Sequence, residues 1–278
     1  MNSSVRRAIT ATGPQVKRNL ASSSKCLTSE KKEGFFSNFF DRKIEAQSTA
    51  HSSKFSNKHS IIECQTHNVK PDSLDKYLKA HQNLVDFINS NKTDLHCEAL
   101  GNFHVFVGDE DQYVHLWKYD DGYKGIDKTL ASLRHISDYQ ALRNDIVPLL
   151  RNRHSQYLLP FSFWPESYPR KSGHIYELRS YHLKPGTMVE WGNYWARAIR
   201  MRDYKHSEAF AGMFSQVGEL YNVKHIWCYD SLEDRQNARE VVWQKQQSQW
   251  SEIVANTVPL IRHMTSRIMV PMEHSPTQ

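Results

Sequence analysis

The sequence predicts an α+β fold in which two tandem ferredoxin-like repeats pack against each other as a barrel within one chain. The first observation behind this prediction is an internal duplication, in which five segments recur in the same order at offsets between 110 and 114 residues. The matched segments are 63–71 with 177–185, 98–99 with 208–209, 116–120 with 226–230, 147–149 with 258–260, and 160 with 271. Five ordered matches are hard to obtain by chance, so the chain contains one unit twice.

The second observation is the order of segments within each copy, which reads β-α-β-β-α-β. The first strand of each copy ends at Lys-Pro, where a helix can begin because proline has no N–H to lose at the first helical position. Gly108 and Gly218 mark hairpin turns, and Ser231 with Asp234 resembles a capping box. The predicted strands are 61–69, 96–107, 112–119 and 156–163, then 175–183, 208–217, 222–229 and 264–270; the predicted helices include 74–88 and 139–150, then 188–199 and 248–256.

A sheet of this pattern covers one face with helices and leaves the other face bare. Two copies can bury their bare faces against each other, which predicts an intramolecular barrel and explains why both copies stay in one chain. The predicted organisation is a targeting segment and linker at 1–58, a first repeat at 59–167 and a second repeat at 168–278.

The distribution of charge argues against binding to nucleic acid. Residues 1–58 contain 11 Lys or Arg and 4 Asp or Glu, whereas residues 59–278 contain 25 basic and 26 acidic residues. A domain that binds DNA or RNA carries its positive charge on the folded part, and here that part is neutral.

Composition excludes several other classes. No stretch approaches the ~18–20 consecutive apolar residues that a transmembrane helix needs. The 4 cysteines lie far apart without a CxxC motif, which argues against a disulfide scaffold or a zinc ribbon. The 15 histidines form neither HxxxH nor HExxH, and no GxGxxG or P-loop is present. We therefore expect no metal and no cofactor.

The first residues have the composition of a mitochondrial presequence. No acidic residue precedes Glu30, while Arg6, Arg7, Lys17 and Arg18 lie among nine Ser or Thr residues. Arg-rich, Ser-rich and acid-poor segments are typical of matrix targeting, since an inside-negative potential draws positive charge inward. The alternative is an ordinary basic tail.

Several segments resemble the NIPSNAP family over nearly all of residues 59–278. They are 176–181 (YELRSY) with 184–186 (KPG), 225–229 (HIWCY), and the Trp-rich helix at 191–199. The resemblance implies a mostly matrix-targeted mitochondrial protein whose tandem domains are similar to the dimeric α/β barrel superfamily. It identifies no catalytic residues.

The same resemblance implies an adaptor or scaffold in mitochondrial homeostasis and mitophagy that acts through protein binding. On damaged mitochondria, protein retained at the outer surface would recruit autophagy receptors or Atg8-like proteins. Trp250 and Ile253 match an Atg8-binding pattern, but their helical spacing favours the core. The alternative function is a small-molecule-binding or oxidising enzyme of the dimeric α/β barrel superfamily. Enzyme activity and a homo-oligomer are left open.

The candidate pocket comes from strand alternation. His115, Trp117 and Tyr119 share one strand face, and His225, Trp227 and Tyr229 repeat this set at an offset of 110. If that face lines the barrel, the two sets would surround a cavity in which an imidazole could act as a base or an axial ligand. The alternative is that the aromatic rings fill the interface and each histidine is hydrogen-bonded to a neighbour.

A second candidate is Glu177 with Arg179, which share a face of the first strand of copy two. Such a pair could hold a ligand carboxylate or orient a base. The first copy has Glu63 and Gln65 at these positions, so only the glutamate recurs. The recurrence favours a structural hydrogen-bond acceptor.

Overall fold

The computed structural model describes residues 55, 56, 59–171, 174–202 and 207–278, and both repeats have the predicted order of elements. Repeat one contains β1 (Ile61–Val69), α1 (Leu74–Ser90), α2 (Lys92–Leu95), β2 (Glu98–Val107), β3 (Gln112–Tyr119), α3 (Gly122–Leu133), α4 (Ser137–Ile146) and β4 (Leu150–Pro160). Repeat two contains β5 (Ile175–Leu183), α5 (Met188–Ala198), β6 (Glu208–Val217), β7 (Asn222–Tyr229), α6 (Leu232–Lys245), α7 (Gln247–Thr257) and β8 (Ile261–Pro271).

The strands form a closed antiparallel barrel in the order β1-β3-β2-β8-β5-β7-β6-β4. The last strand of each repeat joins the two halves, because β4 pairs with β1 on one side and β6 on the other, and β8 pairs with β5 and β2. The predicted intramolecular barrel of two repeats is therefore confirmed.

The interior of the barrel is filled with apolar side chains from both repeats. Three aromatic rings pack at its centre, where the ring centroid of Tyr176 lies 4.9 Å from that of Phe103 and 5.3 Å from that of Phe210. Smaller side chains surround them, including Ile62, Leu116, Leu158, Leu178, Ala211, Ile226 and Met269. Burial of this shared core stabilises the two repeats as one body.

The last strands begin earlier than predicted, at Leu150 rather than 156 and at Ile261 rather than 264. Helix α4 ends at Ile146 rather than 150, whereas α7 ends at Thr257, one residue beyond the predicted 256. Short 3-10 turns follow them at Val147–Leu149 and Val258–Leu260. The first half of β4 is exposed and carries the polar run Arg151 to Ser155. Such a strand lacks the apolar alternation by which strands are recognised in sequence.

The segments that follow β4 and β8 are exchanged between the repeats. After β4, Phe161 donates its N–H to the Gly212 carbonyl at 2.9 Å and packs in the core of repeat two. After β8, Met272 donates its N–H to the Asn102 carbonyl at 2.9 Å and packs in repeat one. Thr277 continues this segment and donates to the Leu100 carbonyl at 2.6 Å. Each repeat is thus completed by residues of the other.

Phe55 packs into repeat two although it precedes repeat one in the chain. Its ring lies 6.1 Å from the Phe214 ring and 6.4 Å from the Phe161 ring, centroid to centroid. It also covers Gly192 of α5, where an added Cβ would lie 2.7 Å from Phe55 Cε1. A side chain at position 192 therefore competes with Phe55 for the same space.

The structure also bears on the predicted helix cap, the predicted core residues and the cysteines. Ser231 accepts a hydrogen bond from the Asp234 N–H at 3.0 Å, which confirms the helix cap. Trp250 and Ile253 are buried, as their spacing predicted. Cys64, Cys97 and Cys228, the cysteines in the described residues, are free and buried. No helix in the described part of the chain is long and apolar enough to span a bilayer. The predicted targeting residues Arg6, Arg7, Lys17 and Arg18 lie outside the described residues.

Candidate functional site between the helices and the sheet of each repeat

The His-Trp-Tyr sets face the helices and not the barrel interior. On β3, Val114 and Leu116 belong to the interior, whereas Trp117 and Tyr119 pack in a cluster with Val85 of α1. The expectation that the two sets line one barrel cavity is therefore wrong. They lie in separate regions, which we name space one, between β1–β4 and helices α1, α3 and α4, and space two, between β5–β8 and helices α5, α6 and α7.

Space one contains a chain of buried hydrogen bonds that begins at His67 of β1. The Tyr77 hydroxyl lies 2.9 Å from His67 Nδ1 and 2.7 Å from His115 Nε2. His115 Nδ1 lies 2.9 Å from Asn102 Oδ1, so both ring nitrogens of His115 have partners. Burial lowers the pKa of His115 well below its ordinary value. The ring is neutral at pH 7 and serves as a hydrogen-bonding group.

His81 of α1 extends this polar cluster. Its ring stacks on the ring of His115 at 3.8 Å between centroids, and its Nδ1 lies 2.9 Å from His274 Nε2. His274 belongs to the exchanged segment after β8. Sequence reasoning missed His67, Tyr77, His81 and Asn102 as polar partners, because they lie on three different elements, β1, α1 and β2. The available signal was the spacing of four residues between Tyr77 and His81, which places them on one face.

Space two has the same arrangement of strands and helices, but its histidine is surrounded by aromatic rings and not by polar side chains. His225 is fully buried, and neither ring nitrogen has a hydrogen-bond partner among the described residues. Its ring is surrounded by the rings of Trp164 at 4.3 Å, Trp195 at 4.5 Å, and Trp191 and Tyr181 at 5.2 Å. Burial is the main cause of its strongly lowered pKa, followed by Arg179 and Arg202.

Strand pairing explains the difference between the two histidines. The residue opposite His115 on the neighbouring strand is Asn102, whereas the residue opposite His225 is Gly212. The Trp164 ring occupies the place of the missing side chain, because a Cβ on Gly212 would lie 2.2 Å from Trp164 Cδ2. An aromatic ring has replaced the hydrogen-bonding amide.

Each space also contains one glutamate that accepts several hydrogen bonds. In space one, Glu63 accepts from the Tyr119 hydroxyl and from Gln65 Nε2, both at 2.8 Å, and from the Ser155 hydroxyl. Gln65 in turn accepts a bond from Trp117 Nε1 at 3.3 Å. Trp117 and Tyr119 thus fill space one and satisfy its buried carboxylate.

In space two, Glu177 accepts from Arg235 Nη2 at 2.7 Å, the Ser266 hydroxyl at 2.6 Å and the Tyr229 hydroxyl at 3.3 Å. Arg179 Nε lies 3.4 Å from Glu177 Oε1, which is an ion-pair distance without the alignment of a hydrogen bond. Burial raises the pKa of Glu177, but Arg179 and the bonds from Arg235 and Ser266 outweigh burial and lower the pKa to about 2. Glu177 is ionised at neutral pH and acts as an acceptor.

A further arginine, Arg202, is buried in space two against Trp227 and Tyr229. Arg202 is only 5% exposed, donates to the Tyr229 hydroxyl at 3.1 Å, and has its Cζ atom 4.3 Å from the centroid of the Trp227 ring. Trp227 and Tyr229 are therefore packed under a buried cation. These contacts support a structural role for the second His-Trp-Tyr set and for Glu177 with Arg179. As a ligand pocket, all eight candidate residues stay a prediction.

Within the described residues, no three His, Cys, Asp or Glu side chains are grouped closely enough to hold a metal ion. The histidines of space one are bonded to Tyr77, Asn102 and to each other. Their arrangement is a hydrogen-bonding network.

The fold and its paired helix–sheet spaces define a tandem α/β barrel protein of the dimeric α/β barrel type. Solved structures with this fold include a putative monooxygenase from Fusobacterium nucleatum, with a TM-score of 0.58 and 11% identity over 78% of this chain and 94% of that chain. A putative monooxygenase from Lactobacillus acidophilus has a TM-score of 0.55 and 10% identity over 77% and 94%. At such identities the likeness shows the fold alone.

The chain belongs to the NIPSNAP family. The NIPSNAP family model matches twice, at residues 62–165 and 176–276. The chain is 49% identical to Protein NipSnap of Drosophila melanogaster over 246 residues, which cover 88% of this chain and 89% of the relative. It is 42% identical to Protein NipSnap homolog 2 of Homo sapiens over 250 residues, 89% of this chain and 86% of the relative.

Proposed function

We propose that this protein is a mitochondrial adaptor or scaffold that acts by binding other proteins, in mitochondrial homeostasis including mitophagy. Its organisation would be a targeting segment and linker at 1–58 followed by repeats at 59–167 and 168–278. Membership of the NIPSNAP family and the acid-free, Arg-containing segment before Glu30 support this proposal.

The observation that carries the proposal is an exposed apolar groove beside a filled barrel. The hairpin between β6 and β7 exposes Val217, Leu220 and Tyr221, with 61% of Leu220 accessible. Leu220 and Tyr221 border a cavity of about 490 Å³ whose other lining residues include Phe55, Met188 and Phe214. We call this surface the hairpin groove. Grouped apolar side chains on a surface are typical of protein-binding sites.

The interior supports the same conclusion. The rings of Phe103, Tyr176 and Phe210 fill the barrel, and space two is packed with tryptophans. The packing of these two regions by the protein's own side chains supports a function that depends on surface contacts. The partners we propose are autophagy receptors or Atg8-like proteins that bind at the hairpin groove when the protein is retained on damaged mitochondria.

The test follows the full chain in cells by antibody, because Ser275 and Thr277 are buried and a C-terminal fusion would disturb them. We expect protease-protected matrix protein in healthy mitochondria. We expect coprecipitation with autophagy receptors or Atg8-like proteins after uncoupling. Replacing Arg6, Arg7, Lys17 and Arg18 with Gln should leave the protein in the cytosol.

Leu220→Asp should abolish coprecipitation without changing location, since it places a charge in the hairpin groove. Val258→Asp is the matched control, because Val258 is 57% exposed and lies outside the lining of this groove. Equal loss in both variants, or no coprecipitation with the unaltered chain, would exclude the proposed binding surface.

A further inference from the structure

A cleft at the edge of space one has a basic rim, formed by Arg143 and Arg153. The cleft has a volume of about 350 Å³ and lies between β1 and β4 on one side and α1 and α4 on the other. Its lining residues are Gln65, His67, Leu84, Tyr139, Arg143, Ile146, Arg153, His154 and Ser155. This volume falls in the range of small-molecule sites.

The two arginines of the rim have no charged partner in the part of the chain that the structure describes. Among the described residues, neither Arg143 nor Arg153 has an ion pair or a side-chain hydrogen bond, and no carboxylate lines the cleft. Glu63 lies behind the floor, where Gln65, Ser155 and Tyr119 already bind its oxygens. Arg151, two residues before Arg153 on the same strand, is instead paired with Asp111. The cleft therefore carries an uncompensated positive charge.

The duplication supplies an internal comparison for these positions. Strand pairing places Arg153 opposite His67, and it places Met264 opposite Tyr181 at the same position of repeat two. By the offset of 111 residues between the Val-Pro-Leu turns, Arg143 corresponds to Val254. Since repeat two forms the same fold with Met and Val, the fold does not require arginine at either place.

Inside the cleft the chemistry changes from charged to apolar. Leu84 and Ile146 form an apolar wall with the ring of Tyr139, while His67 and Gln65 form a polar floor. Burial, and next the nearby Arg153, lower the pKa of His67 to about 4, so its ring is neutral beside the rim. A ligand for this cleft combines an anionic head with an apolar body.

We propose that the cleft binds a small organic acid, with its carboxylate held by Arg143 and Arg153 and its apolar body against Leu84, Tyr139 and Ile146. Guanidinium groups bind carboxylates through paired, charge-assisted hydrogen bonds, which fixes the orientation of the acid. His67, in the floor of the cleft, is also the first residue of the buried hydrogen-bond network that continues through Tyr77 to His115. An acid bound at the rim would therefore lie next to this hydrogen-bond network of space one.

The experiment is calorimetric titration of the full chain with 2-naphthoate and with 2-naphthamide, its neutral counterpart of the same shape. We expect 2-naphthoate to bind at least about tenfold more tightly, because the amide loses the charge-assisted bonds. Inorganic phosphate should bind more weakly than 2-naphthoate, because it lacks the apolar body.

The test variant combines Arg143→Val and Arg153→Met, the residues that repeat two carries at these positions. It should fold normally, as checked by circular dichroism, and bind 2-naphthoate at least about tenfold more weakly. Arg151→Gln, which removes the same charge from β4 outside the cleft, should stay within about twofold of the unaltered chain.

Three results would each overturn the proposal. They are no binding of 2-naphthoate at millimolar concentration, equal binding of acid and amide, and equal weakening by Arg151→Gln. Phosphate binding as tight as that of 2-naphthoate would likewise overturn the assignment to an organic acid.

Discussion

His115 and His225 occupy equivalent positions in the two repeats, but in the part of the chain that the structure describes His115 has a hydrogen-bond partner at each ring nitrogen and His225 has none. His115 lies between the Tyr77 hydroxyl and the Asn102 side chain at 2.7 and 2.9 Å. His225 is surrounded by aromatic rings, and no described residue forms a hydrogen bond with it. The same residue therefore contributes to stability in one repeat and carries an unmet desolvation cost in the other.

This contrast predicts that replacing each histidine with leucine will have different effects on the free energy of unfolding. His115→Leu should lower the free energy of unfolding by roughly 2–4 kcal/mol, because it leaves the buried Asn102 Oδ1 without its partner and removes one of the two partners of the Tyr77 hydroxyl. His225→Leu should change it by less than about 1 kcal/mol or raise it, because it removes a buried polar group that has no hydrogen bond to any described residue. Chemical denaturation of the full chain measures both, and a larger loss at position 225 would contradict the assignment.

The Tyr77 hydroxyl bridges two histidines, so its removal should be costly. Tyr77→Phe keeps the ring and is expected to lower the free energy of unfolding by roughly 1–3 kcal/mol. Tyr113→Phe is the control, since Tyr113 packs 5.0 Å from Tyr77 between ring centroids but its hydroxyl has no hydrogen bond to a described residue. Equal losses in the two variants would show that the bridge contributes nothing.

Glu177 should give the protein a marked acid sensitivity. Its pKa falls from 4.5 to about 2 on folding, so its ionised form stabilises the folded state above the unfolded pKa, and this contribution is lost as pH falls towards 2. The shift corresponds to a contribution on the order of 3 kcal/mol at neutral pH.

Glu177→Gln removes the titration and should flatten the pH dependence of unfolding between pH 4.5 and about 2. At neutral pH the variant should be less stable, because Arg179 and Arg235 lose their carboxylate. Stability curves of both proteins from pH 7 to pH 2 test this, and parallel curves would be the contrary result.

The effect of Gly192→Ala on stability should change sign when Phe55 is replaced by alanine. In the unaltered chain, Gly192→Ala is destabilising because the new Cβ would lie 2.7 Å from Phe55 Cε1. In a Phe55→Ala background the same change should stabilise by about 1 kcal/mol, since alanine favours a helix over glycine. A double-mutant cycle measures the difference, and simple additivity would mean that Phe55 does not pack there.

The duplication made the barrel predictable from sequence, but it did not show which side chains of each strand point into the barrel and which point towards the helices. All eight residues of β7 are buried, so the alternation of His225 and Trp227 with Ile226 defines two faces without showing which one is inside. Two buried layers, one in the barrel and one under the helices, produce the same apolar pattern.

The polar network escaped prediction for a different reason. Tyr77 and His115 are 38 residues apart and meet only when α1 packs on the sheet. The cleft of space one depends similarly on Arg143 and Arg153, which lie on different elements. Sequence spacing describes one element at a time, whereas these sites arise between elements.

The exchange of terminal segments has a consequence for the timing of folding. The Asn102 N–H binds the Ser275 hydroxyl across 173 residues of sequence, and Thr277 reaches back to Leu100 across 177. Chains emerge from the ribosome N-terminus first, so the first repeat waits for the last residues of the second. Contacts of such separation slow folding, because a long loop must close before they form. The half that is synthesised first is therefore the last to be completed.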